Sequence, residues 1–210
     1  MAYVLRFFTA DGCMIKNKRG AHFIEFQITD GGLLGKIKKL FESNLKITER
    51  KSDSNDWKKR YRLQIGSKKM FGDLLNLGIT PNKSKSIELP KIPNKYFCHF
   101  VRGYFDGDGN VFTNRYWRSD RNKYSRTLLT GFTSGSKAIL ESLRTALKTG
   151  NIVSGGSLCF TSGAHRLTFS VKDSGKLFKF MYANCGNLFL AIKKRKYDDY
   201  FKRLNLKLGR

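Results

Sequence analysis

The apolar positions of this chain change their period in a fixed order, and the order occurs twice. Ala2–Asp11 is largely apolar and ends in Asp11-Gly12. Cys13-Met14-Ile15 reads as a short strand running into the polar, basic turn Lys16–Gly20. His22–Asp30 then alternates apolar and polar residues over much of its length, as a half-buried strand does. Gly32–Phe41 carries apolar residues at helical spacing with basic residues between them. Lys46–Arg50 and Lys59–Ile65 form a predicted hairpin, and Ser67–Leu77 a helix closed by Gly78.

The second half follows suit. Phe100–Asp108 is apolar until its acidic end, and Asn110–Trp117 and Arg126–Ser134 are strands flanking the basic turn Arg118–Lys123. Ser136–Lys148 is a helix, Leu158–Phe160 and Arg166–Val171 a hairpin, with helices near Ser174–Ala183 and Lys193–Leu204. Each half is therefore helix, two strands, helix, two strands, helix. The expected class is α+β, with two pseudo-symmetric αββαββα half-domains and saddle-like antiparallel sheets. Pro90, Pro93 and the lysines around them mark the linker, giving halves at 1–93 and 94–210.

Within Phe100–Val111, Gly103 and Gly107 stand four residues apart on one helical face. A glycine in a helix costs roughly 1 kcal/mol against alanine, so two of them argue for close approach of another backbone. The first copy answers in kind: Ala10-Asp11-Gly12 falls on Gly107-Asp108-Gly109. A helix C-terminus already carries partial negative charge, so two aspartate-bearing ends would repel unless a cation lay between them. Hard divalent cations such as Mg²⁺ take such oxygen ligands. Arg6 departs from the pattern by standing where the other copy has Gly103. Either the helices are offset there, or Arg6 reaches out at the edge of the seam, or the pairing is weakened; Arg6→Gly is expected to leave the fold intact or raise its melting temperature.

Composition narrows the partner. The chain has 210 residues, 41 Lys+Arg against 16 Asp+Glu, and a formal net charge of +25. Such a balance implies a polyanion, most simply nucleic acid. The sequence has no long uncharged apolar run for a membrane span and no signal-peptide layout, so the expected location is intracellular, in cytoplasm, nucleoid or organelle matrix, and not secreted. The four cysteines make no CxxC pair and the three histidines no metal-ligand spacing. Strands with one basic, polar face can lie in a DNA major groove. Lys16, Lys18, Arg19, Glu25, Gln27 and Thr29 in the first half are the candidate contacts. Arg115, Trp117, Arg118, Arg121, Lys123, Arg126 and Thr130 are those in the second. Trp57 and Trp117 could sit over DNA or equally pack on the sheets.

Val101-Arg102-Gly103-Tyr104-Phe105-Asp106-Gly107-Asp108-Gly109 closely resembles the motif that names the LAGLIDADG homing endonucleases, and Val4–Gly12 resembles it more loosely. The resemblance in element order spans nearly the whole chain. It implies two central motif helices, paired, with Asp11 and Asp108 as metal ligands and the carbonyls of Ala10 and Gly107 assisting. It implies two or three Mg²⁺ ions shared by those aspartates, and Lys193 and Lys83 as catalytic lysines near the reacting phosphate. Gln27, Asp30 and Ser134 fall where the family places water-network and base-reading residues. The implied function is an intron-encoded, monomeric, Mg²⁺-dependent endonuclease of double-stranded DNA with a long, non-palindromic target. An RNA-binding maturase, or a DNA-binding protein that has lost cleavage, is the alternative on the same scaffold. Arg6→Gly is expected to preserve or increase cleavage.

Overall fold

The computed structural model describes residues 1–50, 59–81, 89–90 and 92–208. The elements run α1 (Ala2–Asp11), β1 (Gly12–Lys16), β2 (His22–Ile28), α2 (Gly31–Leu40), β3 (Thr48–Arg50), β4 (Arg60–Gly66) and α3 (Lys68–Asn76). They continue as α4 (Asn94–Asp108), β5 (Gly109–Arg118), β6 (Lys123–Ser134), α5 (Lys137–Thr149), β7 (Ser157–Thr161), β8 (Ala164–Phe169), α6 (Val171–Tyr182) and α7 (Ala191–Leu208). Both sheets are antiparallel and four-stranded, ordered β1-β2-β4-β3 and β5-β6-β8-β7. The repeated order is the internal duplication expected from the sequence, and the class is α+β.

Packing divides the chain into two compact units. One holds Met1–Gly107 with Gly186–Phe189, the other Asp108–Cys185 with Leu190–Arg210. This division falls after Gly107, whereas the sequence repeat turns over after residue 93. The reason is that α4 packs on α1 and so belongs with the first unit until its last residue.

In the first unit, β2 puts Ile24, Phe26 and Ile28 into the core, facing Leu63 and Ile65 of β4 and Leu33, Leu34 and Ile37 of α2. The Asp30 side chain caps α2 by accepting from Leu33 N at 2.9 Å, and Ser67 caps α3 by accepting from Met70 N at 3.1 Å. Gly78, at φ +77°, ends α3: its N–H donates to Leu75 O, and Ile79 N donates to Leu74 O at 2.9 Å. Arg102 is buried and donates from Nε to Leu188 O at 3.0 Å, tying the 186–189 segment to α4.

The α1–α4 contact rests on missing side chains. A Cβ on Gly103 would strike the Tyr3 carbonyl, and one on Gly107 would strike the Ala10 methyl. Tyr3 also donates its hydroxyl to Asp106 Oδ2 at 2.8 Å, a buried bond between the helices. Gly103→Ala should lower stability by about 1–3 kcal/mol, since overpacking against backbone outweighs the gain in helix propensity. A melting curve checks this; an unchanged or higher melting temperature would contradict the close contact.

Arg6 does not lie at the edge of this seam. It is 3% exposed, its guanidinium lies 3.4 Å from the centre of the Tyr104 ring, and its Nη1 donates to Thr9 Oγ1. The backbone contact of Gly103 is made with Tyr3, so Arg6 has room to stack on the facing helix. This reverses the expectation that glycine at position 6 would be harmless.

The second unit closes over Leu128, Phe132, Leu167 and Phe169 of its sheet, Leu140 and Leu143 of α5, Leu177 of α6 and Tyr197 of α7. Asp173 pins the loop before β7 by accepting from Ser154 N and Gly155 N.

Candidate nucleic-acid interface and helix-end aspartates

Each sheet begins at the residue after a helix-end aspartate. Asp11 is the last residue of α1 and Gly12 the first of β1; Asp108 and Gly109 stand in the same relation for α4 and β5. Gly12 allows the abrupt change because a Cβ there would overlap the Phe8 ring, while its N–H donates to Phe8 O. Both aspartates are exposed. The point where a Gly107 Cβ would stand overlaps the Ala10 methyl and is 3.9 Å from Asp11 Oδ2, so the missing side chain lets α4 pass close to the end of α1 beside that carboxylate.

Lys193, in the first turn of α7, donates from Nζ to Gly109 O at 2.6 Å. The fold thus brings this lysine to the residue following Asp108, far from it in sequence. Lys83 lies outside the described residues, as does Trp57.

Hydroxyl, carboxylate and carbonyl oxygens are the donors that hard divalent cations take. An exposed carboxylate at a helix end, beside last-turn carbonyls such as those of Ala10 and Gly107, fits that donor set. Among the described residues, no group of three or more His, Cys, Asp and Glu side chains gathers at any point, the helix ends included.

Opposed residues of antiparallel strands share a face, so the register sorts every side chain. In the first sheet, Cys13, Ile15, Phe23, Glu25 and Gln27 share the outer face with Arg60, Arg62 and Gln64. Glu25 is buried there beneath its neighbours. It accepts from Arg62 Nε at 2.7 Å, Gln64 Nε2 at 3.1 Å and Gln27 Nε2 at 2.6 Å, with Arg62 Nη2 at 2.5 Å. Its role is to hold three longer side chains in position rather than to project itself. Arg62 and Gln64 were missed as candidate contacts, although the polar alternation Arg60, Arg62, Gln64 is visible in the sequence. Thr29 lies just past the end of β2 and is exposed, and Asp30 is committed to capping α2. Lys16, Lys18 and Arg19 are exposed around a turn in which Asn17 Oδ1 accepts from Arg19 N and Ala21 N.

The second sheet corrects several expectations. Its outer face carries Asn110, Phe112, Asn114, Tyr116 and Arg118, opposed by Gly131, Leu129, Thr127, Ser125 and Lys123. Thr130, Arg126 and Ser134 have the other parity and point to the helix side with Leu128 and Phe132. Thr130 is fully buried: its N–H donates to Ser174 Oγ at 2.9 Å and its hydroxyl bonds the Tyr197 hydroxyl at 2.5 Å. It therefore does not read DNA. Ser134 Oγ accepts from Ser136 N at 3.1 Å, shaping the turn into α5. Arg115 and Trp117 share that parity; Trp117 is half exposed and stands edge-on to Tyr124. At the hairpin tip, Arg118 makes a two-pronged pair with Asp120 at 2.6 and 3.0 Å, with Arg121 and Lys123 beside it, both exposed.

Above Gly131 the outer face holds two polar groups missed from sequence. A Cβ there would meet Asn110 Oδ1, and Arg166 Nε lies 3.2 Å from the same point. Both atoms are buried without a hydrogen-bond partner among the described residues.

The duplicated helix–sheet unit, each copy led by an Asp-Gly helix end, defines a two-half α+β protein. Residues 1–77 match the family model described as LAGLIDADG-like domain. The chain has the fold of LAGLIDADG homing endonucleases. It superposes on the I-LtrWI LAGLIDADG homing endonuclease bound to target DNA with a TM-score of 0.65 and 14% identity, covering 100% of this chain and 90% of that one. I-SmaMI bound to an uncleaved DNA target in the presence of calcium ions gives a TM-score of 0.65 and 18% identity, covering 99% and 91%. A curated relative is the DNA-directed RNA polymerase subunit Rpo1C of Methanocaldococcus jannaschii, 29% identical over 154 residues. That match covers 72% of this chain and 16% of the polymerase subunit, so the chain corresponds to about a sixth of that protein. Among the described residues, no helix is long and apolar enough to cross a membrane.

Proposed function

We propose that this chain is a site-specific endonuclease of double-stranded DNA that requires a divalent metal. The observation that carries the proposal is the repeated junction: an exposed aspartate, a glycine, and the first strand of a sheet with a polar, cationic outer face. Each sheet would lie in a major groove, its side chains reading base edges and its basic turns holding phosphates. Arg62 and Gln64, fixed by Glu25, suit guanine and adenine edges respectively. Arg166 and Asn110 are the corresponding pair in the second sheet. Because the two faces differ, the preferred target is non-palindromic, and a single chain supplies both halves.

Asp11 and Asp108 would hold two or three Mg²⁺ ions, with the carbonyls of Ala10 and Gly107 assisting. Bound there, the metal would polarise the scissile phosphates and lower the pKa of an attacking water. Lys193, held at Gly109 O, would place its charge beside the phosphate next to Asp108 and stabilise negative charge as it develops. Lys83 is proposed for the same role in the first half.

Selection from a randomised duplex library with Ca²⁺, followed by cleavage with Mg²⁺, tests the reading. The expected result is an enriched asymmetric site, cut on both strands with Mg²⁺ and left intact with chelator. Preferential RNA binding, or DNA binding without cleavage, would replace it with the maturase or the inactive binding protein.

Binding should also be strongly salt-dependent. A protein neutralising roughly 6–10 phosphates loses about 10³–10⁵ in affinity between 50 and 200 mM salt. A filter-binding series measures this, and a flat dependence would mean that the charge of +25 serves another partner.

A further inference from the structure

A recess of about 210 Å³ opens on the helix side of the second sheet, between the β5–β6 ribbon and α7. Arg115 and Arg126 enter it from the ribbon, Lys196 and Arg203 from α7; Asp199 is the one acid in its lining, and Tyr200 adds a hydroxyl. Arg115 and Arg126 are directly opposed across the strands. Like charges so placed destabilise a ribbon, and gathering two more cations from the helix adds to the repulsion. Arg115 is held by stacking, its Cζ 3.8 Å from the centre of the Tyr124 ring. Arg126 Nε is buried and has no acceptor among the described residues. A desolvated guanidinium N–H without an acceptor is costly, and an oxyanion would relieve both that cost and the repulsion. Burial pushes the Tyr200 hydroxyl above its usual range, against the pull of Arg126, so it remains a neutral hydrogen-bond donor.

We propose that this recess, at the edge of the ribbon where Asn114 also lines it, is a phosphate-binding site separate from the helix-end aspartates. The guanidinium groups suit two-pronged contact with phosphate oxygens, and Lys196 adds a point charge. The phosphate could belong to a small di- or polyphosphate or to a nucleic-acid strand; the chemistry of recognition is the same. The inference does not depend on the chain being an endonuclease.

Calorimetric titration of the full chain with pyrophosphate, at constant ionic strength, tests it. Saturable binding is expected. Arg126→Gln and Arg203→Gln should each weaken it by about tenfold or more, the loss of one charge-assisted contact. Lys148→Gln, an exposed cation on α5 outside the recess, should match the wild type. Two variants on different elements guard against misfolding of either, and melting curves identify a variant that has lost its structure. Repeating the titration on protein saturated with nucleic acid separates the sources: displaced pyrophosphate indicates a strand's phosphate, unchanged binding a small phosphate ligand. Uptake that does not saturate, or that weakens equally in Lys148→Gln, would overturn the site, as would wild-type affinity in folded Arg126→Gln and Arg203→Gln.

Discussion

Asp11→Asn and Asp108→Asn should each reduce double-strand cleavage of the selected target by about 10²–10³-fold or more, on the scale of removing a charge stabiliser from a reacting centre. DNA affinity should change little, because it is spread over many Lys and Arg side chains. Each aspartate ends its own helix and is exposed, so the amide should be tolerated by the fold. The comparison requires cleavage assays, binding assays and melting curves on the same preparations. Mg²⁺-dependent double-strand cleavage at wild-type rate by either mutant would remove that aspartate from the metal site. Loss of binding together with cleavage would instead assign it to positioning the DNA.

Arg6→Gly should destabilise the protein by about 2–4 kcal/mol, the scale for emptying a large buried site and losing a desolvated cation–π contact. The side chain fills space between α1 and α4, its guanidinium stacked on Tyr104, and no small residue could do both. For a chain of this size each kcal/mol moves the melting temperature by about 2–4 °C, so the shift is easily measured. Arg6→Met, which keeps the apolar stem, should recover part of the loss. A melting temperature at or above wild type for Arg6→Gly would mean that the stacking contributes nothing, and that the seam prefers the closer approach glycine allows.

How the arginine is accommodated could not be read locally. Position 6 aligns with Gly103, and alignment alone suggests a clash. The helices avoid it because Gly103 meets the Tyr3 backbone, which depends on how the two helices cross. Lys193 presents the converse case. Its place near Asp108 followed only from resemblance to a family, and folding realises it through a contact between α7 and the start of β5.

The sequence by itself determined the element order, the duplication and the two Asp-Gly helix ends. Those follow from short-range period and from glycines whose neighbours are local, whereas the caps Asp30 and Ser67 came to light only in the structure. The sequence also identified the outward face of β2, because Glu25 and Gln27 interrupt a run of buried apolar residues. In β6 the same reasoning failed. Arg126, Thr130 and Ser134 all share one parity, and it is the buried one. A strand repeats every two residues, so an assignment displaced by one position transfers every side chain to the opposite face. Only the partners decide which face is inside. Leu128 and Phe132 are covered by helices, and Thr130 is acceptable among them because Ser174 and Tyr197 satisfy its polar groups. The tertiary structure alone supplied those partners, and with them the cationic recess beneath the ribbon.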